Sequence, residues 1–363
     1  MITQDHLFFN AFNQLPQIGA VRLRKLLNFF PDLETAWRAS LSELRQTGFD
    51  EALLEKILDL KTTVDPETEF EKLERLGIRM LTFRDAEFPA LLAEIPNPPA
   101  ILYIKGELLP RDCRGLAVVG TRKYTSYGKQ VVTDLVRDLV RSSLTIISGL
   151  ALGIDAIAHL AAMHYDGRTI AVLASGLDSI HPVSNRAIAE KILSGRGAIV
   201  SELPLGMPPL KHHFPYRNRI ISGLALGCVV IEAATDSGSL ITARHALEQN
   251  RQVFAVPGSI YNPASAGPNN LLKMGAKPVT SVSDILEDLN LVGGEQQVLA
   301  EEILGDNEEE QKVLGFLTRE PQHIDLIVKS LGLPASTVAA TLTIMEMKGK
   351  IRNLGANQYV KSR

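Results

Sequence analysis

The chain has 363 residues, 45% hydrophobic and 22% charged, which suits two or three folded domains and excludes a disordered or fibrous protein. Its formal net charge of −3 hides a division along the chain. Residues 1–113 carry 13 basic and 18 acidic side chains, 114–277 carry 17 and 10, 278–307 carry none and 7, and 308–363 carry 8 and 6. A basic centre therefore lies between acidic segments.

The predicted elements begin with small helices. LPQIGAVRLRKLLNFF (15–30) spaces Val21, Leu23, Leu26 and Leu27 along a helix, and EALLEKILDLK (51–61) repeats the pattern. Leu15-Pro16-Gln17-Ile18-Gly19 resembles the turn of a helix-hairpin-helix or SAM-like module, with Gln17 where such turns often hold Gly. Residues 1–65 read as that helical domain, either a packing unit or a DNA-contacting one. A mixed segment from 66, with Pro89, Pro96, Pro98 and Pro99, leads into the next domain.

From Leu116 undiluted apolar runs alternate with helical stretches. They are LAVVG, TIISG, TIAVLAS, AIVSE, CVVIEA and QVFAVPG, with helices over about 127–141, 153–164 and 239–250. Such runs are strands buried on both faces of a parallel sheet, so 66–290 reads as an extended Rossmann-type doubly wound α/β core. Ligands of such sheets bind where the strands end, and most of these runs end in Gly, Ser or Glu. An acidic linker, 291–307, leads to 308–363. There QKVLGFL, HIDLIVKSLG and STVAATLTIMEMKG followed by a hairpin around Gly355-Ala356-Asn357 read as a winged helix, serving either DNA or protein contacts.

Two distant cysteines, Cys113 and Cys228, exclude a disulfide framework or a cysteine zinc site. The N-terminal MITQDHLFFN has no basic n-region, and the apolar run Ile220 to Ile231 is 12 residues, short of the ~18 to 20 of a bilayer span. A soluble, cytoplasmic protein is expected.

Candidate binding residues cluster at predicted strand ends. Gly120, Thr121, Arg122 and Lys123 follow the first core strand, where a helix N-terminus and two cations favour an anion. Ser148 and Gly149 offer a second such turn, and Ser237, Gly238 and Ser239 a third. Lys211-His212-His213-Phe214-Pro215-Tyr216-Arg217-Asn218-Arg219 interleaves cations with rings, as single-stranded nucleic acid requires for backbone tracking and base stacking. The adjacent histidines lack carboxylates or thiols at ligand spacing, so no metal is expected. Asp155 and His159 stand one helical turn apart and can touch, but no nucleophile completes a catalytic set. No G-x-G-x-x-G follows LAVVG, so a dinucleotide cofactor is not expected.

Together VVGTRKYTSYG, SGLALGIDAIAH, FPYRNRIISGLA, EAATDSGSLITARHALEQNRQVFAVPG and NPASAGPNNLLKMGA resemble the DprA/Smf family of DNA-processing proteins, in order and over the whole chain. The resemblance implies a SAM-like domain, a Rossmann core and a winged helix. It implies binding and protection of single-stranded DNA, loading of the RecA recombinase in natural transformation, and a homodimer through the core. It further implies that Gly120, Thr121, Arg122, Lys211, Phe214, Arg217, Asn218 and Arg219 hold phosphates and bases. The alternative is a phosphoribohydrolase-like Rossmann enzyme. That family expects Pro-Gly-Gly before Gly-Thr and a Glu soon after, whereas Thr235, Asp236 and Ser237 precede Gly238, and Thr242 and Ala243 stand where the carboxylate belongs. A transcription regulator using the winged helix is a third reading, and it leaves the crevice without a role.

Overall fold

The computed structural model describes residues 4–291, 306–318 and 320–361, in two compact units, Met1–Gly293 and Gly294–Arg363. The first unit opens with α1 (Gln4–Asn13), α2 (Ala20–Phe29), α3 (Leu33–Arg38), α4 (Leu41–Arg45), α5 (Glu51–Thr63) and α6 (Pro66–Arg75). Asp32, Ser40, Asp50 and Asp65 start four of them by accepting the N–H three residues on, which satisfies donors a helix start leaves free. These helices bury Phe8, Phe9, Phe12, Leu23 and Leu26 in a cluster that continues into Ala171, Leu173 and Ile199 of the sheet. The helical module is thus packed onto the core rather than tethered to it.

The sheet has nine strands: β1 (Ile78–Thr82), β2 (Ile101–Gly106), β3 (Gly115–Val119), β4 (Thr145–Ser148), β5 (Thr169–Val172), β6 (Gly197–Ser201), β7 (Gly227–Val230), β8 (Gln252–Ala255) and β9 (Lys277–Pro278). Their order is β1-β2-β6-β5-β4-β3-β7-β8-β9. β6 through β9 in that row are mutually parallel, while β2 pairs antiparallel with β6 and β1 with β2. All six strands expected from the apolar runs form. The mixed segment that leads the 66–290 core, for which no strands are predicted, contains the β1–β2 hairpin, which extends the same sheet. Prolines and a short helix, α7 (Ala90–Ala93), between its strands disguise it in the sequence.

Helices α8 (Ser126–Arg141), α9 (Ile154–His164), α10 (Arg186–Lys191), α11 (His213–Gly223), α12 (Ser239–Glu248), α13 (Ala266–Lys273) and α14 (Val282–Asp288) cover both faces. This explains why β3 to β7 are buried throughout. The chain winds from β3 through β4 and β5 to β6 in one direction, then returns to the other side of β3 as β7. That reversal opens a crevice beyond the ends of β3 and β7.

The second unit contains α15 (Glu308–Phe316), β10 (Gln322–His323), α16 (Ile324–Leu331), α17 (Ala335–Met347), β11 (Ile351–Asn353) and β12 (Gln358–Lys361). Gly332, in the left-handed region at φ 64°, ends α16, and Pro334 precedes α17. Val313, Leu314, Ile327, Leu342 and Tyr359 form its core. β10 joins the expected hairpin to make a three-stranded sheet. Of the acidic linker expected at 291–307, residues 292–305 lie outside the described residues. Among the described residues no single helix is long and apolar enough to cross a membrane.

Candidate nucleic-acid interface

The crevice starts from the turn after β3. Thr121 donates its N–H to Glu232 O at 2.6 Å and accepts from Ile154 N at 3.2 Å, so the turn is held from both sides. Two glycines permit this closeness. A side chain on Gly120 would meet Ile154 at 2.7 Å, and one on Gly153, itself at φ +84°, would meet Thr121 O at 2.3 Å. Glu232 is fully buried, and its carboxylate accepts from Thr125 N at 2.9 Å and Thr125 Oγ1 at 2.5 Å. Thr125 Oγ1 in turn accepts from Gly128 N at 3.1 Å, capping α8. Glu232, at the end of an apolar strand, therefore fixes the turn through its backbone carbonyl and the start of the following helix through its carboxylate.

The facing wall is the first turn of α11. Phe214 is half-buried, with the guanidinium carbons of Arg122 and Arg217 each 6.0 Å from its ring centroid and His181 edge-on at 5.8 Å. Arg217 Nη1 donates to Gly149 O at 2.9 Å and to Val172 O, and its Nε donates to Asn218 Oδ1 at 3.2 Å. Asn218 Nδ2 reaches Gly238 O at 3.2 Å, tying α11 to the start of α12. Burial lowers the Arg217 pKa to about 10, opposed by Asp155, so the guanidinium remains charged at neutral pH. Burial pushes the Asp155 carboxyl up, against the pull of the Arg217 charge and of the Gly149 N–H that it accepts at 3.0 Å.

The resulting cleft of about 640 Å³ is lined by the β3 turn and the beginnings of α9, α11 and α12. The residue before each of these helices, Gly153, His212 or Gly238, supplies no side-chain cap, although Ser237 Oγ accepts from Ser239 N at 3.4 Å and the Ile154 N–H is given to Thr121 O. Their positive dipole ends converge with Arg122 and Lys123, an arrangement suited to successive anionic groups with a ring beside them.

Of the residues singled out in the sequence, Gly120, Thr121, Arg122, Lys123, Phe214, Arg217, Asn218, Ser237, Gly238 and Ser239 line this one cleft. Lys211 is exposed on the turn before α11. Three residues require correction. Ser148 is fully buried and donates to Val118 O at 2.7 Å, and the Gly149 N–H is already given to Asp155, so neither forms a free phosphate turn. Arg219 faces away, buried and ion-paired with Glu202.

Asp155 and His159 do not form a pair either. Thr169 Oγ1 donates to Ile146 O at 2.8 Å, so the His159 Nδ1–H donates to it at 2.6 Å, and burial lowers the imidazole pKa to about 3. Glu232 is an anchor whose signal in the sequence is a carboxylate closing an otherwise apolar run. Thr242 and Ile241, also lining the cleft, carry no motif signal. Among the described residues no group of three or more His, Cys, Asp and Glu could hold a metal ion.

Fold and site define a class: a Rossmann-type α/β protein with a cleft lined by cations and helix starts at its switch point, carrying a winged helix in the same chain. Family models narrow it, with DNA recombination-mediator protein A matching residues 79–290 and the DprA winged helix domain matching 299–357. The chain belongs to the DprA/Smf family. Protein Smf of Synechocystis sp. is 35% identical over 396 aligned residues that span 99% of each chain. The X-ray structure of DNA processing protein A from Streptococcus pneumoniae matches with a TM-score of 0.65 and 34% identity, over 79% of this chain and 99% of that one. A structure of the Helicobacter pylori DNA processing protein A, concerned with its single-stranded DNA binding mode, matches with a TM-score of 0.52 and 29% identity, over 59% of this chain and 96% of that one.

Proposed function

We propose that this protein binds single-stranded DNA in the cleft, as a cytoplasmic homodimer formed through the Rossmann core, protects incoming strands and loads the RecA recombinase onto them during transformation and recombination. The observation that carries the reading is the seating of Phe214 between Arg122 and Arg217 where three helix starts meet. A phosphate backbone needs the donors and cations, and an unstacked base needs the ring. The single-stranded DNA binding of the H. pylori relative supports the choice of ligand. Thr242, lining the cleft where a phosphoribohydrolase would need its carboxylate, favours binding over that chemistry.

The test is anisotropy with labelled oligo-dT and a duplex of equal length. The single strand should bind more tightly. Phe214→Ala should weaken it by about five- to a hundredfold, as a lost base–aromatic stack of ~1–3 kcal/mol implies. Lys211→Ala and Arg122→Ala should each weaken binding as well. Equal binding of duplex, or a Phe214→Ala variant that binds like the parent, contradicts the proposal. For the partner, RecA filament formation on strands coated with single-strand-binding protein should accelerate when this protein is added.

A further inference from the structure

The first turn of α11 stands between two cavities. Phe214 and Arg217 face the cleft, whereas His212 and Tyr216, two and one residues from them, line a second hollow of about 250 Å³. Pro16, Ile18 and Gly19, from the turn joining α1 to α2, also line that hollow. The hairpin-like turn of the N-terminal helices is therefore brought against the same basic, aromatic segment that bounds the cleft.

The hollow, lined mostly by apolar side chains, offers a ring with a cation beside it. Tyr216 is 44% exposed, and Arg219 lies 4.1 Å from its ring centroid, so one face is backed by a guanidinium while the exposed part of the ring is open to a base. Arg219 is buried and leaves Nε and Nη1 without hydrogen-bond partners, and both residues it contacts here, Glu202 and Tyr216, line the hollow. Arg22 Nη1 donates to Gln17 O at 2.6 Å, which holds a partly exposed cation beside the Pro16–Ile18 turn. No acidic side chain stands in the first turn of α2, and none caps it.

We infer that the N-terminal helical module is part of the nucleic-acid interface: a single strand leaving the cleft crosses Phe214 and His212 and stacks a base on Tyr216 in the hollow beneath the α1–α2 turn, with Arg22 at its backbone. This rests on the proposed single-strand binding in the cleft and extends its footprint to a second subsite.

The experiment compares the full chain with Tyr216→Ala, Tyr216→Phe and Arg22→Ala, using oligo-dT of six and of twenty nucleotides. The parent should bind the longer strand more tightly than multiple registers alone explain. Tyr216→Ala should remove about tenfold of that gain, the scale of one lost base stack, while leaving the six-nucleotide affinity unchanged. Arg22→Ala should remove a smaller part, and Tyr216→Phe should restore the parent behaviour. A photoreactive 5-iodouracil strand of twenty nucleotides should crosslink to Tyr216 itself, told apart from Phe214 of the same peptide by fragmentation, and a crosslink confined to Phe214 would count against the second subsite. Parent and Tyr216→Ala chains with the same length-dependent gain, or a parent with none, overturn the second subsite while leaving the cleft standing. A parent that binds neither oligonucleotide overturns both.

Discussion

Gly153 shows how much of the site depends on a missing side chain. The glycines of SGLALG are conspicuous in the sequence, yet what Gly153 must avoid, the Thr121 carbonyl, lies 32 residues away and becomes visible only once β3 and β4 are paired. Gly153→Ala should lower stability by about 1–3 kcal/mol, combining a left-handed backbone position with an overlap on the turn. It should also weaken oligo-dT binding by displacing Arg122. Thermal unfolding and anisotropy on one preparation check both, and an alanine variant with parent stability would refute the close packing. The cluster Arg217-Asn218-Arg219 teaches the complementary lesson. A linear run of polar residues suggests a common role, but successive residues on a helix point about 100° apart. Arg217 and Asn218 reach the cleft while Arg219 turns to Glu202.

At the scale of elements, the parallel strands were legible because burial on both faces leaves an uninterrupted apolar run. The β1–β2 hairpin was not, because its two strands are separated by Pro89, Pro96, Pro98 and Pro99 and pair across 18 intervening residues. The winged helix was legible as three helices and a hairpin, but its charge cluster was not. Glu310, from α15, accepts from Asp306 N at 3.0 Å, from Lys348 Nζ at 2.6 Å and from Lys350 Nζ at 2.8 Å, bringing together residues about 40 positions apart. These contacts lower its pKa to about 2, the Asp306 N–H contributing most.

A carboxylate depressed in the folded state adds stability that is present above its unfolded pKa, ~4.3, and lost as pH falls through the folded value. The winged helix should therefore loosen between about pH 4 and pH 2. Glu310→Gln should be less stable at pH 7 and should lose most of that acid dependence. Amide hydrogen exchange along α15 and α17 in the full chain, corrected for intrinsic rates, measures it. Identical pH profiles for the two proteins would contradict the assignment.

For the whole molecule, the net charge of −3 misleads because it averages segments with opposite roles. Part of the acidic stretch after the core is itself folded: α14 packs its Ile285 into the cluster with Leu135 and Leu139 of α8, and Asp288 pairs with Lys277 at 3.0 Å. The excess of cations in 114–277 includes Arg122 and Lys123 at the mouth of the cleft, while Arg137 and Arg168 in the same segment are committed to buried ion pairs. A segmental count therefore reveals that a basic centre exists, and only the sheet's reversal at β3 and β7 says which cations face a ligand.

The central claim is that a phosphate backbone lies against the β3 turn, and the salt dependence of oligo-dT binding tests it most directly. Each single-strand phosphate neutralised contributes about −0.7 to the slope of log K against log salt, so Arg122→Ala should flatten the parent slope by about that amount while weakening binding. Affinity insensitive to salt, or an Arg122→Ala variant with the parent's slope and affinity, would contradict it.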